Sequence, residues 1–406
     1  MPAHQDPLGG ELTDPQQART AEAGPLSLAL LDARNRLLRW LQAFEAAQPD
    51  GAGLQLSLQG WTARHRFAQA ADYTERWIHR NAQLARGEAG DAHPPVGRSH
   101  RPEWAAWLAG SGRGQDAPSA QALREGLADN LDTTLGLLER AGPGDAALHF
   151  FRQALRHEDR LCEALAEIAQ EAQTPAFAHL LAAPEAKAER AALWMPAATV
   201  TLGSPPGGAV PDNERWAHPV DVPDFEIDAQ PVNWAQYMAF SEDGGYDQPA
   251  WWSEAGWAWV QVEGRRAPRH VEQLRGSVLL HRQGRVQQVN PRLPVQHVSR
   301  FEAEAWCRWA GRRLPTEPEW TLAAQHAASR GFVWGMVFEW VAGSARPWPG
   351  HHSGVGSLDT MPPEGAYGVL RGASHMTRPR ARHLQARRFA PPGRDTMFCG
   401  FRSCAL

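Results

Sequence analysis

The sequence predicts an α+β protein built from two unlike halves: an antiparallel four-helix bundle, then an irregular mixed domain. Three observations carry that prediction. Helical hydrophobic spacing runs through residues 26–172 and largely stops afterwards. Tryptophan is concentrated late, with 13 of the 18 Trp lying after residue 193 against 4 Tyr in the whole chain. In the same region, short strand-like runs alternate with Gly- and Pro-rich turns, the composition of a loop-rich domain pinned by large aromatics. A length of 406 residues accommodates two ordinary cores.

The elements follow in order. Residues 1–25 are polar and rich in Pro, Gly and Gln, and read as a disordered tail. The first helix begins at Leu26, with Leu30, Leu37, Leu41 and Phe44 on one stripe, and "PDGAG" stops it. A second is expected over 64–86, with Phe67, Ala70, Tyr73, Trp77 and Ile78 inward, followed by a loop through "DAHPPVGRSHRPEW". A third over 118–140 aligns Leu123, Leu127, Leu131, Leu135 and Leu138, and "AGPGDA" breaks it. The fourth, over 145–172, sets Leu148, Phe151, Leu155, Cys162 and Leu165 on one face, and Phe150, His157, Leu161 and Ile168 on the next. Such a bundle is an architecture in which sites are built from side chains on facing helices. Residues 173–193 read as a linker and 194–406 as the mixed domain. There "ATVTLG", "HPVDVPDFEI" and "GSVLLHRQGRVQQV" are strand-like, and "SRFEAEAWCRWAGR" is a helix with Ser299 as N-cap and Glu302 as its capping-box partner.

Several function classes drop out. Lys and Arg total 41 against 45 Asp and Glu, a net charge of −4 without a run of five like charges, so neither nucleic acid nor a membrane surface is an expected partner. No stretch approaches the roughly 18 uninterrupted apolar residues of a membrane span, and the N-terminus lacks the pattern of a secretory signal, so the expected location is cytoplasmic. The four cysteines, 162, 307, 399 and 404, are too few and scattered for a disulfide framework. Phosphate-loop and hydrolase-elbow motifs are missing from the sequence.

The chemistry concentrates in "RHEDRLCEAL", residues 156–165. A helix bearing His-Glu-x-x-His places two imidazoles one turn apart, where they can share a metal, but the position four after His157 is Leu161.

Longer phrases carry a resemblance. "PVQHVSRFEAEAWCRWAGRRLPTEPEW", "FVWGMVFEW" and the ending "GFRSCAL" resemble the formylglycine-generating-enzyme-type domain, a lectin-like α+β fold. Together with "GWTARHRFAQAADYTERWIHRN" and "HEDRLCEAL" ahead of them, they make the chain similar to the ergothioneine sulfoxide synthase family, in which a DinB-like bundle precedes that domain, and most similar to its selenoneine synthase branch. The resemblance implies iron(II) and O2 chemistry that forms a C–S or C–Se bond on the imidazole of hercynine, with a thiol or selenol donor. It implies three His ligands, one on the second helix and two on the fourth. In the register set by "ERWIHRN" these positions are Gln69, His157 and Leu161, so one ligand is retained and two are replaced. His65, one turn before Gln69, is the candidate substitute ligand. The resemblance also assigns Phe338, Glu339 and Trp340 to the substrate pocket, Phe338 standing where an indole is usual. Asp212, Asn213, Arg313 and Glu319 read as scaffolding. Two functions follow from these residues: an iron-dependent synthase of this kind, or a non-catalytic homologue that keeps the fold and binds a betaine or a protein partner.

Overall fold

The computed structural model describes residues 12–110, 117–359 and 361–406. The first half is helical. Helix α1 (Pro15–Thr20) is N-capped by the Asp14 side chain and leads into α2 (Ala23–Ala46). Strands β1 (Ser57–Leu58) and β2 (Trp61–Thr62) form a small hairpin that feeds α3 (Ala63–Thr74), where Thr62 is the N-cap. After α4 (Pro102–Leu108) come α5 (Ala120–Glu139), capped by Ser119, and α6 (Asp145–Ala172). Helices α2, α3, α5 and α6 pack on one another around two apolar clusters.

Two expectations change here. From Leu12 onward the supposed tail is docked: Ala209 N–H bonds the Arg19 carbonyl and Arg19 pairs with Glu214 at 2.6 Å, while residues 1–11 lie outside the described residues. The second helix stops short of residue 86. It widens into a π-helical turn over Glu75–His79 and ends near Asn81, whose side-chain amide donates to the Trp77 carbonyl and accepts from the Gln83 N–H and so competes with the helix backbone.

The second half contains β3 (Leu193–Met195), β4 (Ala198–Leu202), β5 (His218–Val222) and β6 (Phe225–Ile227), then α7 (Trp234–Glu242) and α8 (Glu254–Glu263). A three-stranded antiparallel sheet of β7 (Val271–Leu274), β8 (Val278–Arg282) and β9 (Arg285–Gln288) follows. Helices α9 (Arg300–Trp309) and α10 (Glu317–His326) each begin with a capping box, Ser299 with Glu302 and Thr316 with Glu319. The principal sheet is β10 (Phe338–Ser344), β11 (Gly368–Gly372), β12 (Arg387–Ala390) and β13 (Cys399–Phe401), ordered β12-β11-β10-β13, with β10 and β13 parallel. Among the described residues no helix is long and apolar enough to cross a membrane.

The halves are joined along one face of α6. Its acids Asp159, Glu163, Glu167 and Glu171 recur every four residues and therefore stack along the helix. Each meets an arginine of the second half: Arg380 at 2.7 Å, Arg388, Arg394 at 2.6 Å and Arg269 at 2.8 Å, respectively. One turn round, Arg156 and Arg160 both grip Asp359.

Candidate functional site

This docking leaves a cavity of about 900 Å³ between α3, α6 and second-half residues 358–359, 361–363, 387–389, 394 and 397. From α3 and the π turn it takes Arg66, Gln69, Asp72, Tyr73, Arg76 and Trp77, and from α6 His157, Arg160, Leu161, Glu163 and Glu167. The three positions assigned to metal ligands, Gln69, His157 and Leu161, thus line one space.

Their chemistry does not make an ion site. His157 Nε2 lies 3.3 Å from the Gln69 backbone carbonyl, to which it donates, and its ring packs on Tyr73 with centroids 4.8 Å apart. Burial pushes this imidazole down to about 3, so it is neutral near pH 7, with Nδ1 left as an acceptor. The Gln69 side-chain oxygen accepts from Arg66 Nη1 at 3.2 Å, which puts a fixed positive charge directly on one of the three positions. Leu161 offers no donor atom and is buried.

His65 is no substitute, because it faces elsewhere. Its Nδ1 is 2.7 Å from Thr62 Oγ1, and its ring stacks on Trp107 at 4.1 Å. Among the described residues no group of three His, Cys, Asp or Glu side chains is disposed to hold a metal ion. The residues present therefore do not fit the iron centre that the resemblance implies.

The aromatic triplet is also used differently. Glu339 is fully buried in an ion pair with Arg402 and accepts from Trp320 Nε1 at 2.9 Å. Trp340 is equally buried, its indole bonded to the Val298 carbonyl at 2.8 Å. Both belong to the core of β10. Phe338 alone borders an open space, a pocket of about 90 Å³ where the Arg388 guanidinium lies 5.0 Å from its ring centroid. Of the residues read as scaffolding, Arg313 pairs with Glu319 at 2.6 Å and Asp212 is buried, while Asn213, buried with its amide on the Arg387 carbonyl, also lines the cavity. Cys399 packs in one core cluster and Cys404 in another, and burial raises both thiols.

What the cavity does offer is polar and aromatic. Asp72 makes no ion pair among the described residues, and burial, with Glu75 adding to it, raises its carboxyl. Beside it stand Tyr73, whose hydroxyl donates to Gly356 O at 3.0 Å, and Trp77, stacked on Phe150 at 5.4 Å. Arg66 and Arg76 likewise have no carboxylate partner within ion-pair distance among the described residues, whereas the other acids of the wall, Glu163, Glu167 and Asp359, are all paired. Residues 69, 72, 73 and 76 share one helical face, so the position of Gln69 contained the signal for Asp72 and Arg76. The helical spacing alone predicts Tyr73 and Trp77 as inward core residues.

Residues 178–336 match the sulfatase-modifying factor enzyme 1-like domain, a match that starts inside the 173–193 stretch. The chain is 35% identical over 238 residues to a hercynine oxygenase of Mycolicibacterium smegmatis, covering 47% of this chain and 55% of that protein. It is 36% identical over 234 residues to a hercynine oxygenase of Mycobacterium tuberculosis, with the same coverages. A formylglycine-generating enzyme of Streptomyces coelicolor is 32% identical over 173 residues, covering 37% of this chain and 52% of the enzyme. The chain spans about half the length of the curated relatives it matches. These likenesses support the ergothioneine-synthase-like family resemblance and a formylglycine-generating-enzyme-type domain in the second half.

Proposed function

We propose that this hercynine-oxygenase-like chain binds a zwitterionic imidazole betaine of the hercynine type in the cavity over His157, without a three-histidine iron centre. In this reading residues 26–172 are the DinB-like half and residues 194–406 the formylglycine-generating-enzyme-type half of a cytoplasmic protein, with the ligand between them.

One observation carries the reading: an unpaired carboxylate, two aromatic rings and two arginines without carboxylate partners share one wall. A trimethylammonium group is attracted to Asp72 and to the ring of Tyr73, a cation–π contact contributing about 0.5–2 kcal/mol, while Trp77, stacked on Phe150 and 5.4 Å from the Arg76 guanidinium, closes the wall. The ligand carboxylate is the natural partner of Arg66 or Arg76, whose planar guanidinium accepts it in a fork. His157 Nδ1 then accepts from an imidazole N–H. The likeness to hercynine oxygenases supports this ligand class. The donor set at Gln69 and Leu161 favours binding over the iron-dependent C–S or C–Se bond formation of a synthase.

The test is calorimetric titration of the full chain with hercynine and with histidine, which lacks the trimethylammonium group. Saturable binding of hercynine, weaker binding of histidine, and about a tenfold loss in Asp72→Asn, about 1.4 kcal/mol, are expected. Equal binding of both ligands, or an unaffected Asp72→Asn, would refute the assignment.

A further inference from the structure

A second cavity, of about 130 Å³, lies on the far side of the Met397–Phe398 step, between the end of α6, residues 181–184 and the β8–β9 hairpin, and it shares no lining residue with the first. Its wall holds two arginines, Arg269 and Arg282, and four histidines, and it contains no Asp or Glu. Arg269 is neutralised elsewhere, by Asp395 and Glu171 at 2.8 Å each. Arg282 makes no ion pair among the described residues, and burial lowers its guanidinium with no carboxylate acting to raise it.

Three further features converge there. The Trp234 indole is 1% exposed and its Nε1–H has no partner among the described residues. His297 is 5% exposed, its Nδ1 has no partner, and its backbone is held in the left-handed region at φ 58°. Gln296 reaches across only loosely, its Nε2 lying 3.4 Å from His375 Nδ1. Burial holds His297 at about 3 and His375 at about 4, so both rings are neutral and add no charge, and the single N–H of each is turned to a backbone carbonyl, Asp395 for His297 and Met336 for His375. A left-handed histidine is an uncommon arrangement, of the kind that clusters at ligand-holding sites. A half-buried cation and an unpaired, fully buried indole donor with no acid in the wall are the two halves of an anion site.

We propose that this chamber is a binding site for one small oxyanion, held by the Arg282 guanidinium, the Trp234 indole N–H and the Gln296 amide. Its size excludes a nucleotide or a peptide and accommodates a formate-sized carboxylate or a tetrahedral inorganic anion. The hairpin supports the placement of Arg282. Gln283 and Gly284 turn at φ 54° and 74°, as a two-residue hairpin requires, and a side chain at Gly284 would meet the Gln173 carbonyl at 2.9 Å, so the tip is seated against the end of α6.

The experiment is calorimetric and thermal-melt titration of the full chain with formate, sulfate, phosphate and chloride at constant ionic strength. Saturable binding of formate alone identifies a carboxylate site, and saturable binding of sulfate or phosphate identifies a tetrahedral one. Either outcome supports the proposal if Arg282→Gln weakens it at least tenfold, Arg282→Lys restores part of it, and Arg66→Gln in the first cavity leaves it intact. Trp234→Phe, which keeps the ring and deletes the donor, serves if Arg282→Gln does not fold. No saturation, an equal response to chloride, or loss in Arg66→Gln with none in Arg282→Gln would overturn it.

Discussion

Glu158, beside His157, belongs in this structure to the fold. It pairs with Arg34 across α2 and α6, Nη2 to Oε1 at 2.5 Å, with both side chains 1% exposed. The guanidinium also bonds the Leu127 carbonyl and lies 3.3 Å from Asn130 Oδ1, and Asn130 in turn accepts from Thr74 at 2.6 Å, so one network ties α2, α3, α5 and α6 together. Glu158→Gln keeps the shape and removes the charge. Breaking a buried pair by changing one partner costs about 3–5 kcal/mol, because the other charge is left uncompensated. The carbonyl contacts that Arg34 retains set the expectation at the lower end, about 3 kcal/mol. With a urea slope of about 1–3 kcal/mol per molar, the midpoint falls by about 1 M or more, read by circular dichroism at 222 nm. Arg34→Met with Glu158→Leu removes both charges and recovers most of the loss. A loss in Glu158→Gln below about 1 kcal/mol, the range of an exposed pair, would refute the argument.

Two other outcomes follow. Burial alone would raise the Asp359 carboxyl, but Arg156 and Arg160 hold it well below the ordinary carboxylate range. A depressed folded value means stability that is present above about pH 4 and lost as pH falls through the folded value. Asp359→Asn should therefore be less stable than the parent at pH 7, and the two urea midpoints should converge below pH 4. A constant gap between pH 7 and pH 2 would contradict the pairing. His65→Ala should leave hercynine binding within about twofold while lowering stability by about 1 kcal/mol through the lost stack on Trp107, since the ring faces away from the cavity. Loss of binding with the stability unchanged would mean that His65 reaches the site.

Local grammar made much of this legible in the sequence. The 145–172 helix has the bounds its spacing predicts, Ser299 and Glu302 form the expected capping box, and "GSVLLHRQGRVQQV" is the β8–β9 hairpin. Partners distant in sequence decided the rest. The four-residue spacing of Asp159, Glu163, Glu167 and Glu171 is visible in the chain, but the arginines that give it meaning arrive about 100 to 230 residues later. His65 turns away because Trp107, on a helix just beyond a stretch read as loop, offers it a stacking surface. Glu339 and Trp340 looked like pocket residues because their phrase resembles one, yet they sit in a strand paired on both sides, where Arg402 and Val298 satisfy them internally.

Among the described residues, the cavity over His157 lacks the donors for an iron centre. Anaerobic iron(II) titration with elemental analysis of the desalted protein tests this directly, with Gln69→His plus Leu161→His in parallel. The structure predicts background iron in the parent chain and about one retained ion in the double variant, since His157 already lines the same space. One tightly held ion per parent chain, lost in His157→Ala, would contradict the claim.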